Sequence, residues 1–127
     1  MSRLAGPLAL LVIASSASAE PGDAARGQRV FQYCFSCHAV DPAEKAKLQG
    51  PSLYRIVGRP AASVAGFDYS DALKARAASG LVWNAETLDS FIADPQAVVP
   101  DTRMSAPPLR DAQDRADLIA YLTRAGR

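Results

Sequence analysis

Cys34-Phe35-Ser36-Cys37-His38 gathers both cysteines and the single histidine of the 127-residue chain into five positions. Two thiols at this spacing can add to the two vinyl groups along one edge of a porphyrin. A histidine directly after the second thiol is then held beneath the iron as its proximal ligand, the pattern of c-type haem attachment. Three other readings compete. A structural zinc site needs about four N or S ligands, and the three residues of this one pentapeptide are all that the chain offers. A thioredoxin-like redox pair follows a strand in a βαβ unit, whereas the residues ahead of Cys34 read as helix. A plain disulfide explains the thiols and leaves His38 without a role. Covalent haem c, with its iron, uses all three residues.

An iron bound by His38 on one side raises the question of its other side. His38 is the only histidine and both cysteines are committed. Met104 is the only methionine apart from Met1, and it stands in Pro100-Asp101-Thr102-Arg103-Met104, a proline-held stretch far from His38 in sequence. A methionine in a polar loop is prone to oxidation, and iron ligation gives it a purpose. Thioether ligation raises the reduction potential. It also fills the sixth position, leaving no vacancy for oxygen, peroxide or substrate. The expectation is electron transfer at the haem and no enzymatic activity.

These side chains must be positioned by helices and long loops. Pro21-Gly22-Asp23 precedes a helix that Asp23 caps and that runs to about Tyr33, with a costly glycine, Gly27, in its middle. Residues 39–68 lack periodicity and are punctuated by Gly50-Pro51, Gly58 and Gly66, with at most a short helix near Leu53–Val57. So long a loop in a small domain calls for something to wrap. Ser70 to Ala78 reads as a short helix. Asn84 caps Ala85–Ala93, which Pro95 ends, and Asp111 or Asp114 caps a last helix to about Arg124. Apolar residues at helical spacing support the later helices. No segment alternates with the period of a strand, so the class is all-α: a small single domain, helices and loops around one haem. Without haem the chain is expected to be largely unfolded.

The first residues read as an export signal. Arg3 gives a short positive start, Leu8 to Ala14 an apolar core, and Ala17-Ser18-Ala19 a small-residue cleavage site. The expected division is residues 1–19 as a cleaved secretory signal and 20–127 as the domain. The apolar run is shorter than the roughly 20 residues of a membrane span, so no membrane anchor is expected after cleavage. Cleavage leaves 13 basic against 13 acidic residues. No basic stripe suggests nucleic acid. Export to an oxidising compartment exposes free thiols to oxidation, and thioether attachment removes that risk.

At this level of detail the chain resembles class I cytochrome c, close to the mitochondrial protein and its soluble bacterial relatives, over nearly all of residues 22–125. The resemblance rests on Gly22 through Gly27 with Val30-Phe31, the haem pentapeptide, Gly50-Pro51, Gly58-Arg59, Gly66 through Ala72, Trp83, Glu86-Thr87-Leu88, Pro100 through Met104, and Arg115 through Leu122. It implies thioethers at Cys34 and Cys37 and axial ligands at His38 and Met104. It implies that the Pro51 carbonyl accepts the His38 ring N–H. Arg59, Tyr69, Trp83 and Thr102 would surround the haem propionates. Gly27 and Phe31 would pack against Leu118 and Tyr121 where the first and last helices cross. Two departures stand out. Phe91 replaces a tyrosine that usually hydrogen-bonds near the methionine sulfur, which should alter the potential while keeping the ligand pair. Gln96, Ala97 and Arg103 stand where lysines often ring the haem edge, which should weaken electrostatic steering.

The function expected from this resemblance is a periplasmic one-electron carrier, monomeric, shuttling between respiratory or photosynthetic complexes. Its partners would be a cytochrome bc complex as donor and a terminal oxidase or reaction centre as acceptor. The alternative is a dedicated cytochrome subunit or acceptor of a periplasmic dehydrogenase, with the same fold and ligands.

Overall fold

A computed structural model describes residues 20–127; the expected signal lies outside the described residues. Helix α1, Ala24–Val30, starts where the Asp23 carboxylate accepts the Arg26 N–H at 2.7 Å. It tightens into a 3-10 turn over Phe31–Tyr33. The expected helix to Tyr33 is thus two geometries in series, and the turn delivers the chain into the haem pentapeptide. There the N–H groups of Cys37 and His38 both donate to the Cys34 carbonyl, at 3.1 and 2.9 Å.

The strands β1, Arg59–Pro60, and β2, Val82–Trp83, form a two-residue antiparallel pair that the sequence pattern did not foretell. Such a pair is too short for periodicity to register. It clips the loop after Gly58 to the segment carrying Trp83 and leaves the all-α class intact. No helix forms near Leu53–Val57; turns occupy that stretch, with Arg55 at a left-handed φ of 54°.

Helix α2, Asp71–Ala78, is capped by Ser70 and lies on the surface with no buried residue. Helix α3, Ala85–Ala93, opens on a reciprocal capping box between Asn84 and Thr87 and buries Leu88 and Phe91. Pro95 does end α3, and it also begins one more turn, α4, Pro95–Val98, which Asp94 caps. Proline suits both tasks, since its fixed φ and missing N–H are tolerated at a first helical position. Helix α5, Ala112–Ala125, is capped by Asp111 and buries Asp117, Leu118 and Leu122.

Helices α1 and α5 cross in close contact. A methyl group at Gly27 would overlap the Asp117 carbonyl, which accounts for a glycine inside a helix. Phe31 and Tyr121 meet at a ring-centroid separation of 5.4 Å. The core joins this crossing to Ile56, Ala61, Trp83, Leu88, Phe91 and Val99. Among the described residues no helix is long and apolar enough to cross a membrane.

Candidate haem site

His38 is the centre of the site, and its ring is fixed from two sides. Its Nδ1 lies 2.7 Å from the Pro51 carbonyl oxygen. A carbonyl oxygen only accepts, so Nδ1 carries the proton and Nε2 keeps a lone pair. The ring also packs against Gly50, where a β-carbon would overlap it. The Gly50 N–H in turn donates to the Cys37 carbonyl at 2.8 Å, closing the loop back on the pentapeptide. Gly50-Pro51 thus brings a flat surface and an acceptor to one ring. The sequence signal for Gly50 was its place before Pro51; nothing in it announced the contact with His38. Burial lowers the His38 pKa most, the Pro51 hydrogen bond opposes this, and Arg59 adds to the lowering, so the neutral ring is favoured.

Cys34 and Cys37 are partly buried free thiols, not bonded to each other. Burial, aided by Cys37, pushes the Cys34 thiol up to about 11. It is therefore a protonated thiol at neutral pH, not a reactive thiolate. Cys34 and Met104 both pack, half-buried, against the same hydrophobic core. The Met104 N–H donates to Thr102 Oγ1 at 3.3 Å, and the Thr102 N–H to the Val99 carbonyl at 3.0 Å. Val99 is fully buried, so this short chain of bonds anchors the methionine loop to the core.

The four residues assigned to the propionates by resemblance differ in how they are held. Arg59 donates to the carbonyls of Tyr54 and Ser52 at 2.9 and 2.8 Å, keeping further N–H groups in hand. Burial lowers its pKa, and Tyr69 opposes that shift. The Tyr69 hydroxyl accepts the Val64 N–H at 3.0 Å and retains its own proton; its ring meets Phe67 edge-on at 4.8 Å. Trp83 is buried against Phe91, centroids 4.9 Å apart, and its indole N–H has no protein partner among the described residues. Thr102 keeps its hydroxyl proton. Four donors with spare capacity suit two carboxylates that must leave bulk water. Together with two free thiols and an imidazole whose Nε2 makes no hydrogen bond among the described residues, this donor set fits a haem.

Two features escaped the sequence reading. Arg103, beside Met104, reaches back to the loop before α2: its guanidinium donates to the Asp68 carbonyl at 2.6 Å and lies 3.7 Å from the Asp68 carboxylate. Away from the haem, Asp117 is buried in the α1–α5 crossing. It accepts the Asp23 N–H at 2.8 Å, two Arg26 N–H groups at 2.7 and 3.1 Å, and the Gln113 amide at 3.0 Å. The Arg26 hydrogen bond, the largest cause, holds the Asp117 carboxyl well below the usual carboxylate range. An aspartate amid the apolar rows of the last helix was the available signal.

The sequence profile of the family described as Cytochrome c matches residues 24–125. The chain belongs to the cytochrome c family. It is 46% identical over 114 residues to cytochrome c2 of Rhodomicrobium vannielii, covering 90% of this chain and 87% of that relative. It is 42% identical to cytochrome c2 of Blastochloris viridis over 89% of this chain and 87% of that one. Among solved structures, cytochrome c2 from Rhodospirillum centenum superposes with a TM-score of 0.77 at 33% identity, over 84% of this chain and all of that one. Cytochrome cH from Methylobacterium extorquens gives 0.72 at 38% identity, over 81% and 99%. The fold is the small all-α cytochrome c fold. As a c-type cytochrome the chain takes one covalent haem c with its iron, and its work is electron transport; proteins of this family are electron carriers rather than enzymes.

Proposed function

We propose that this chain is an exported, periplasmic one-electron carrier in which Cys34 and Cys37 hold the haem by thioethers and His38 and Met104 are the axial ligands. When bound, the haem supplies one-electron chemistry at iron. The chain's residues hold the ligands, limit water access and balance charge. The observation that carries this reading is the His38–Pro51 hydrogen bond of 2.7 Å, because it sets the tautomer and leaves Nε2 as a donor to metal. Met104, the sole methionine of residues 20–127, supports the other axial position by packing against the core that Cys34 also touches. Arg59, Tyr69, Trp83 and Thr102 receive the propionates, and Phe91 packs beside Trp83 where it can donate no hydrogen bond to the methionine sulfur.

Residues 1–19 are the cleaved signal and residues 20–127 the working domain, a monomer without a membrane anchor. The donor is a cytochrome bc complex, and the acceptor a terminal oxidase or reaction centre. The balance of 13 basic and 13 acidic residues in this domain makes encounter with either depend little on salt.

The test is an absorption spectrum of the protein exported by a host able to attach haem, oxidised and then reduced. We expect haem that survives denaturation and, in the ferric state, the weak far-red band of iron bound to methionine. Met104→Ala should lose that band and admit carbon monoxide to the reduced protein. A Met104→Ala protein that keeps the band and refuses carbon monoxide would overturn the ligand assignment.

A further inference from the structure

The segment that carries Met104 is braced mainly from its own side of the molecule. The Gln96 amide of α4 spans the loop, donating to the Thr102 carbonyl at 3.1 Å and accepting the Asp101 N–H at 3.1 Å. Asp101, at a left-handed φ of 66°, sits inside this brace. Downstream, the Leu109 N–H donates to the Ile92 carbonyl at 3.0 Å. Arg115 of α5 donates to the carbonyls of Leu109 and Arg110 at 3.0 and 2.8 Å. These bonds fasten the segment to α3 and α5. None of them reaches the long loop on the His38 side. Among the described residues one hydrogen bond makes that crossing, from the Arg103 guanidinium to the Asp68 carbonyl at 2.6 Å.

The neighbours of the two partners give this bond its meaning. Arg103 stands between Thr102 and Met104, and Asp68 directly precedes Tyr69. Thr102 and Tyr69 are two of the residues proposed to receive the propionates. The bond therefore closes a bracket, Thr102-Arg103 on one side and Asp68-Tyr69 on the other, over a sequence separation of 35. The bracket forms part of the wall of a surface cleft of about 340 Å³ that Ser70, Asp71 and Lys74 also line. Its two contacts differ in weight. The side chains of Arg103 and Asp68 are 59% and 89% exposed, so their charge pair at 3.7 Å is screened and adds little. The shorter bond has a charged donor and a backbone acceptor, and it does not need the carboxylate.

We infer that Arg103 is a positioning residue for Met104: its bond to the Asp68 carbonyl holds the methionine loop closed against the loop that carries Tyr69, and the breaking of that bond lets Met104 leave the iron. The inference rests on the reading that Met104 is an axial ligand. A thioether held in place raises the reduction potential, so Arg103 acts on the potential through its neighbour in the chain. Gln96 and Arg115 fix the two ends of the methionine segment; Arg103 fixes the stretch between them to the far side of the site.

The experiment uses the ferric holoprotein with imidazole as probe. At saturating imidazole, the rate at which the far-red band disappears is the rate at which Met104 leaves. Arg103→Ala should raise that rate about tenfold, the scale of one hydrogen bond from a charged donor, and should lower the reduction potential. Arg103→Lys keeps a donor but loses the planar fork, so its rate should lie between wild type and Arg103→Ala. Asp68→Asn keeps the carbonyl and should exchange within about twofold of wild type. Arg103→Ala protein that exchanges at the wild-type rate would overturn the inference. So would Asp68→Asn protein as fast as Arg103→Ala, which would give the effect to the charge pair. The spectrum of the ferric wild type separates the two ideas. A far-red band with unchanged rates in the Arg103 variants sinks the bracket alone, whereas wild type without that band sinks the ligand assignment and the bracket together.

Discussion

The α1–α5 crossing and the loops around His38 are stabilised in opposite ways. At the crossing, backbone meets backbone at Gly27, Phe31 meets Tyr121, and a buried carboxylate is satisfied by four donor groups. The haem loops have little regular structure between Ala39 and Asp68. They are held by separate hydrogen bonds: Pro51 to His38, Arg59 to two carbonyls, Tyr69 to Val64, Arg103 to Asp68. They also contain non-glycine residues with positive φ, Arg55 and Ala62 at 54° and Asp101 at 66°. A left-handed conformation costs an L-residue about 1–2 kcal/mol. One region closes on itself; the other accepts strain in order to surround a cofactor.

The largest effect should come from breaking the closed region. Gly27→Val puts branched carbon where the Asp117 carbonyl sits, forces the helices apart and loses both the ring contact and the carboxylate cage. A loss of about 3 kcal/mol or more follows from overpacking and uncoupling together, read as a lower denaturant midpoint of the holoprotein.

Gly50→Ala probes the open region in the same manner, because its methyl group overlaps the His38 ring. The atoms it meets belong to a side chain and not, as at Gly27, to backbone, so the stability loss should be smaller, about 1–2 kcal/mol. The distinguishing readout is spectroscopic: the reduction potential and the ferric absorption bands should shift, as they should not in Gly27→Val protein that is still folded. Equal spectra for Gly50→Ala and wild type would mean that the ring is not held by Gly50.

Asp117→Asn separates the regions by pH. The Asp117 pKa is depressed in the folded state from an ordinary 3.8. Its ionised form therefore adds stability that is present above that value and fades as pH falls below it toward the folded value. The stability difference between wild type and Asp117→Asn should be constant from about pH 5 to 8 and shrink below about pH 4. A gap that stays constant to low pH would show that the charge of Asp117 contributes nothing to folding.

The smallest effect is a gain. Ala62→Gly relieves the left-handed strain at φ 54°, worth about 1 kcal/mol, against about 0.5 kcal/mol of added backbone entropy loss. The net rise of some 0.5 kcal/mol should appear as an increase of a few degrees at most in melting temperature. A fall would place the strain elsewhere in the loop.

The parts of the molecule legible in the sequence were those governed by local chemistry. Asp23 and Asn84 announced helix starts because a cap is a bond between a side chain and a backbone N–H two or three residues away. The haem pentapeptide was legible because its reactive groups are neighbours. Met104 was nominated as the second ligand by elimination and by its place in the proline-held stretch Pro100–Met104, and it stays part of the proposal. The β1–β2 pair was missed because two residues cannot display a period. The turn α4 was missed because Pro95 serves as a stop and a start with the same geometry.

By itself the sequence determined which atoms could bind a haem and which segments would be helical, since both follow from residue type and short spacing. Tertiary structure decided what fixes those atoms. Only folding sets Gly50 under the His38 ring, lays Arg103 across to Asp68, and brings Asp117 to donors at the start of α1. These contacts join residues 12 to 94 positions apart, and their strength depends on excluded water and exact fit, which no local pattern encodes.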